Sequence, residues 1–173
     1  MPQIQLNRIT NANIYMDGNS LLGRAEEIKL PEVSAMMTEH KALGMVGKIE
    51  LPSGFDKMEG DLKWNSFYAD VWLKVANPFS AVQLQCRSSV ETYTSQGRTQ
   101  QSALVTFLTV AFKKNPLGTF KQHDNAEFNS AFACYYIRQQ LDGADILEFD
   151  AMANIYKVGG VDQLDLYRAN LGG

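Results

Sequence analysis

The sequence predicts a mainly β, α+β fold: an antiparallel β-sandwich or partial barrel with one flanking helix and a long extended loop. Two observations predict it. Three long segments, VQLQCRSSVETY (82–93), LVTFLTVAFKK (104–114) and EFNSAFACYYIR (127–138), alternate with a period of two, which at this length is a strand signature. Parallel strands need a crossover, usually helical, and none is available between residues 82 and 150. In the first segment Val82, Leu84, Cys86, Val90 and Thr92 share a parity. In the second, Leu104, Thr106, Leu108, Val110 and Phe112 share one face, while Val105, Phe107 and Ala111 make the other apolar too. In the third, Phe128, Phe132, Cys134 and Tyr136 are set opposite Ala131, Ala133, Tyr135 and Ile137. Strands apolar on both faces are expected to be covered twice, by a core and by a second layer or another subunit.

The other elements follow in order. Residues 1–12 are polar with scattered aliphatics and read as an arm or an edge strand. Residues 13–22 form a hairpin signal, with Asp17-Gly18 supplying the positive φ values of a tight turn. Residues 25–40 read as extended, broken at Pro31, with a helix starting at Pro31 as the weaker alternative. The piece 41–47 (KALGMVG) is longer and more apolar than a turn requires, which suggests a packed flap or a contact surface. KIELP (48–52) reads as a return strand and SGF (53–55) as a turn. Met58, Leu62 and Trp64 share a parity, and Gly60 between them suggests a bulge or a close approach.

Asn65 or Ser66 is the expected cap of a helix through 67–75, whose stripe is Phe67 or Tyr68, Val71, Trp72 and Val75. Asn77-Pro78 stops it. Residues 95–102 read as a polar turn around Gly97 and residues 115–126 as a longer connection. Asp142-Gly143 is a second tight-turn dipeptide, leading into strands at 146–149 and 154–160. Residues 161–173 form a short amphipathic end with Val161, Leu164, Leu166 and Leu171 as expected contacts.

With 173 residues the chain reads as a single domain, 1–173, long enough for a core without metals or disulfides. Net charge is −3, so there is no basic footprint for sequence-specific DNA binding. From Asp124 onward eight acidic residues face three basic ones, and a surface built from this segment would repel nucleic acid. Cys86 and Cys134 are expected as buried free thiols. Met1–Thr10 lacks an apolar signal core and no run of 18 apolar residues occurs, so cytoplasmic synthesis without a membrane span is the expectation.

Catalytic chemistry finds no foothold. His40 and His123 lack metal-ligand spacing. Nucleotide-binding glycine patterns, GxSxG and CxxC are absent. Glu148 and Asp150 would act as a carboxylate pair only across a cleft. Tyr93, Phe107, Phe112 and Phe120 would serve as a base-stacking platform only among basic residues, and core packing is the plainer reading. The expectation is a protein with no enzymatic activity, cofactor or metal, and with an assembly role that uses its surplus apolar surface.

The segment NANIYMDGNSLLGRAEEIKLPEV (11–33) resembles the opening of the major tail tube proteins of contractile-tailed bacteriophages, in the P2-like and R-type-pyocin-like branch. MMTEHKALGMVGKIELPSGFDKMEGDLKW (36–64) resembles the following strand, long loop and return strand. Residues 135–172 resemble the closing block, through Tyr135, Tyr136, Asp142, Gly143 and Asp150, then Gly160 to Gln163, Arg168 and Asn170 to Gly172. The order of these motifs covers nearly the whole chain and is firmest at its two ends.

The resemblance implies hexameric rings stacked into a hollow tube inside a contractile sheath, with inner strands joining into a ring barrel. It implies partners: sheath, tape measure, baseplate and tail terminator proteins, and transient, non-specific passage of DNA through an acidic channel. It implies a place in the virion tail, after assembly in the host cytoplasm. The long loop that reaches a neighbouring ring or subunit maps to His40, Lys41, Ala42, Leu43, Gly44, Met45, Val46, Gly47 and Lys48. Gln83, Gln85, Arg87, Ser89 and Glu91 form a polar parity that is the expected channel-facing row. The second face of the sheet is expected to pack against the 65–75 helix or a neighbour. Alternatives are the inner tube of an R-type bacteriocin or of a type VI secretion system, and a monomeric β-sandwich binding module.

Overall fold

A computed structural model describes residues 4–173; the first three residues of the expected N-terminal arm lie outside the described residues. The elements run β1 (Leu6–Arg8), β2 (Ala12–Met16), β3 (Asn19–Ser20), β4 (Ala25–Lys29), β5 (Ala35–His40), β6 (Ile49–Phe55), β7 (Met58–Trp64), α1 (Ala69–Val75), β8 (Val82–Thr94), β9 (Gly97–Lys114), β10 (Phe128–Leu141), β11 (Ala144–Asp150), β12 (Ile155–Val158), β13 (Val161–Asp162) and α2 (Asp165–Asn170). Every strand pairing is antiparallel.

One large sheet follows the order β13-β12-β11-β10-β9-β8-β2-β3. Two of the long strands at its centre, β8 and β10, each serve two partners along one edge. β8 pairs β1 and β2 on the edge away from β9. β10 pairs β7 through residues 128–134 and β11 through residues 136–141. The sheet therefore divides at Tyr135. One wing runs to β7 and β4, the other to β11, β12 and β13.

Tyr135 is the residue that sequence periodicity misses. Cys134 faces Val110 and Tyr136 faces Thr109, so Tyr135 is an extra residue in β10. A one-residue bulge exchanges the two faces beyond it. Cys134 and Ile137 therefore both reach the core, and Tyr136 turns to the other side, against the unbroken alternation expected from sequence.

The core lies between the β7 wing, α1 and one face of β8–β10. Trp64, Leu62, Val110 and Phe132 are fully buried, with Leu84, Val75 and Phe112 almost so. Helix α1 presents Val71, Trp72 and Val75 to this core, with Tyr68 packed beside them. It thus covers the core face of the sheet; of the two coverings expected for the second face, this helix or a neighbour, the helix is not the one. The expected cap at Asn65 or Ser66 is absent, because the Asn65 amide is engaged by the Gly23 carbonyl and the Tyr68 hydroxyl; Tyr68 is the N-cap, without a side-chain cap bond. Phe67 leaves the stripe and stays half in solvent.

The Asp17-Gly18 and Asp142-Gly143 turns form as read, with φ of 47° and 82°, and 49° and 82°. The connection around Gly97 is shorter than expected: β9 begins at Gly97, leaving only Ser95 and Gln96 as the turn. Residues 53–55 belong to β6, not to a turn, since a bulge at Ser53 lets the strand continue to Phe55. Besides the one flanking helix, a short helix α2 forms within the amphipathic end read at 161–173. The terminal contacts predicted at Val161, Leu166 and Leu171 are not made; these side chains are exposed. Leu164 is half-buried.

Gly60 is a close approach, not a bulge. A Cβ there would stand 2.5 Å from the Phe132 ring and 2.6 Å from the Lys29 carbonyl oxygen. The carbonyl is backbone and the ring is fully buried, so neither can yield cheaply. Gly60→Ala is expected to lower the unfolding free energy by about 3 kcal/mol, read as a lower urea midpoint with an unchanged slope. A shift smaller than about 1 kcal/mol would show that the β4–β7–β10 packing can relax.

Candidate functional site

Two surfaces of this fold have the character of contact sites, and a third was not signalled by the sequence. The first is a hairpin arm. β5 and β6 pair only with each other, forming a separate two-stranded sheet. Its base is anchored by the Phe55 ring, 4.8 Å from Phe149 and 4.6 Å from Tyr156 between centroids. Beyond that base every residue is exposed. Seven large apolar side chains of the arm stand in solvent: Met36, Met37, Leu43, Met45, Val46, Ile49 and Leu51. Residues His40 to Lys48 form its tip, where Leu43 and Val46 are as exposed as in an open chain. Lys48 is held by Glu39 at 3.1 Å across the hairpin.

An apolar two-stranded ribbon of this kind cannot be stable for its own packing, since neither face is covered. It persists because β6 ends at Phe55, packed against the core, and the chain enters the core just beyond it at Met58 of β7. The predicted strand, loop and return strand are therefore present, with the whole unit raised off the body.

The second surface is the open face of the large sheet. Gln83, Gln85, Arg87, Ser89 and Glu91 all lie on it, opposite the core-facing Val82, Leu84 and Cys86. The register carries one row straight across it: Tyr15, Gln85, Phe107, Arg138, Glu148, Lys157 and Asp162. Val105, Phe107 and Thr109 are half-buried by their cross-strand neighbours, and no second layer covers them among the described residues.

The charges on this face are ordered. The Arg138 guanidinium forks onto Asp145, Nε to Oδ1 at 2.8 Å and Nη2 to Oδ2 at 3.0 Å. That contact, with Gln140, holds the Asp145 carboxyl below the usual range. Lys157 pairs with Glu148 at 3.2 Å, and the Tyr136 hydroxyl donates to Glu148 at 3.0 Å. Burial first, then that carboxylate, pushes the Tyr136 phenol up to about 12. Glu91 accepts from Tyr93 and Arg98, and both bonds keep it ionised. Arg87 has no carboxylate: it donates to Gln85 and lies over the Tyr15 ring at 5.2 Å.

The third surface surrounds the outer side of α1. Exposed Phe67, Leu73 and Phe79 line a shallow concavity of about 550 Å³ there, and Leu117 and Phe120 are exposed on the 115–126 connection. The Trp72 indole donates to the Pro116 carbonyl at 3.2 Å and ties the 115–126 connection to the helix. Sequence reading missed this patch because Phe79, Leu117 and Phe120 fall in connections with no period to reveal a shared side.

The remaining candidates disperse. His40, at the end of β5, and His123, in the 115–126 connection, are exposed, and no group of three metal-ligating side chains forms among the described residues. Cys86 and Cys134 are buried free thiols, and burial pushes Cys134 up to about 12, which leaves it an inert core residue. Of the aromatics, Phe112 is in the core, Phe107 and Tyr93 lie on the open face and Phe120 is exposed beside α1. Asp150 accepts the backbone N–H groups of Met152 and Ala153, and Glu148 holds Lys157, so the two carboxylates stabilise a turn and an ion pair.

Residues 6–172, nearly the whole chain, match the family of phage tail tube protein FII. The chain belongs to the phage tail tube family. The tail tube protein of Escherichia phage P2 is 27% identical over 164 residues, covering 92% of this chain and 94% of that protein. The fold is shared with a chain in the cryo-EM structure of an extracellular contractile injection system, the PVC sheath-tube complex in its extended state. That match has a TM-score of 0.55 and 9% identity, over 75% of this chain and 87% of the other. A tail tube protein has a structural, non-catalytic role, and its functional surfaces are those through which it assembles. For a tail tube family member the uncovered arm and the open sheet face are therefore the places to look.

Proposed function

We propose that this protein forms hexameric rings that stack into the hollow inner tube of a contractile phage tail, a conduit through which DNA is ejected. The observation that carries the reading is the arm. Seven large apolar side chains held out on a hairpin, left uncovered by the described residues of their own subunit, exceed what scattered surface residues explain and mark an interaction site. The arm tip, His40 to Lys48, is the contact with a neighbouring ring or subunit.

Its natural counterpart is unlike itself. The arm leaves the body beside Met58, at one end of β7, while the α1 patch sits beside Trp64, at the other. A donor and an acceptor at opposite ends make a head-to-tail contact, and head-to-tail contacts close into rings or extend without limit. The free edges of the sheet support lateral joining of the inner strands into one ring barrel, which removes unpaired backbone groups. The Gln83-to-Glu91 row then faces the channel. The sheath encloses the tube, the tape measure protein occupies it during assembly, and baseplate and terminator proteins contact its ends. Assembly takes place in the host cytoplasm and the product resides in the virion tail. The relation to the tail tube protein of phage P2 supports a phage tail over a bacteriocin or secretion tube.

Negative-stain electron microscopy of concentrated protein tests this. Rings with six-fold symmetry, or long hollow tubes, are expected. A species that stays monomeric and monodisperse at high concentration would overturn the proposal.

A further inference from the structure

We propose that the open face is kept from holding DNA by cross-strand ion pairs that occupy three of its five cations, and not by an excess of negative charge. The inference rests on the reading that this face lines the channel. The family resemblance leads to an acidic wall, and the acidic C-terminal third of the sequence points the same way. The register says otherwise. Over β8, the facing stretch of β9, the Tyr136–Leu141 half of β10, and β11–β13 with β1 and β2, five cations stand among five carboxylates. The face is electroneutral, so bulk repulsion of phosphate is not available to it.

Placement of the charges takes over that task. Arg138 spends both ends of its fork on Asp145, the same bidentate geometry a phosphate would require. Lys157 is held by Glu148, and Arg98 by Glu91 at 2.8 Å. Each of these carboxylates projects from a neighbouring strand: the register sets Glu148 directly opposite Lys157, and sets Asp145 and Glu91 diagonally across from Arg138 and Arg98. A phosphate that displaced one would leave a carboxylate behind, facing another negative charge. A passing duplex thus finds three of the five cations already satisfied, with Arg8 and Arg87 left outside these pairs. Affinity for DNA grows with each phosphate neutralised by a free lysine or arginine, and pairing holds that number down while the backbone still slides over a polar wall.

Removing the masks should make the surface adhesive. The variant carrying Asp145→Asn and Glu148→Gln releases Arg138 and Lys157 and leaves both strands intact. Its affinity for a short fluorescent duplex at low salt, read by anisotropy, is expected to exceed the unmodified protein's by roughly tenfold and to fall steeply with added salt. Adding Arg138→Gln and Lys157→Gln should return it to the starting level. A control with Glu26→Gln and Asp70→Asn makes the same change in net charge and frees Lys63 on the β7 wing and Arg24 beside α1, outside the strands of this face. It should bind no tighter than the unmodified protein. Equal gains for control and test variants, or none for either, would overturn the proposal.

A separate measurement addresses the reading beneath it. Ser89→Cys, on the open face, should react in assembled tubes with a small maleimide but not with a bulky polymer-linked one. Reaction with both would place the face outside the channel, whatever the DNA result.

Discussion

Replacing Trp64 by alanine is expected to lower the unfolding free energy by about 4 kcal/mol. Trp64 is fully buried at the end of β7, paired with Phe128 on one side and Ala25 on the other. Its ring meets Trp72 of α1 edge-on at 5.8 Å. The indole N–H donates to the buried Ser130 hydroxyl at 2.9 Å, and that hydroxyl donates to the Leu62 carbonyl at 3.2 Å. Alanine would open a cavity where sheet and helix meet, and would strip Ser130 of its donor. A domain of this size is stable by only about 5–15 kcal/mol, so the loss is a large share. Trp64→Phe keeps most of the ring and loses the hydrogen bond, and should cost about half as much. Urea unfolding followed by tryptophan fluorescence and circular dichroism measures both. A loss below about 1 kcal/mol for the alanine variant would mean that α1 is not held through this residue.

Shortening the arm is expected to do the reverse: to abolish tube growth and leave the subunit's stability almost unchanged. His40 pairs with Ile49, so deletion of Ala42–Gly47 leaves Lys41 and Lys48 as a two-residue connection. Lys41→Asn and Lys48→Gly give that connection the positive φ values a tight hairpin turn prefers. The deletion removes Leu43, Met45 and Val46, all exposed in the isolated subunit. Nothing in the core touches them, so the unfolding free energy should change by no more than about 0.5 kcal/mol. Tubes counted by electron microscopy or by sedimentation should disappear. If stability and assembly fall together, the tip is a structural part of the subunit. If tubes form at the normal rate, the contact lies elsewhere.

The contrast between these two residue sets follows how the fold is written in the sequence. Strand positions were legible where a single alternation ran unbroken, as in Val82, Leu84 and Cys86, because one buried face imposes a period of two. Both Asp-Gly turns were legible because few residues adopt left-handed φ. The arm was legible as a loop too long and too apolar for a turn. The Tyr135 bulge was not, since an extra residue becomes visible only when the partner strand is in place. The helix cap was misplaced because Asn65 found its partners at Gly23 and Tyr68, one of them 42 residues away.

What the sequence by itself determined is local: the β-rich class, the tight turns, the apolar stripe of α1, the polar row from Gln83 to Glu91, and the order of motifs that places the chain among phage tail tubes. Tertiary structure alone decided which sheet face is covered and which carboxylate meets which cation. Helix α1 lies on the core face, and the polar row is left open. Arg138 finds Asp145, and Lys157 finds Glu148. The physical reason is that alternation fixes the side of a strand on which a residue lies, while burial and ion pairing depend on what the register brings opposite it. A count of acidic residues along the chain therefore suggests a negative wall, and the folded sheet builds a neutral one.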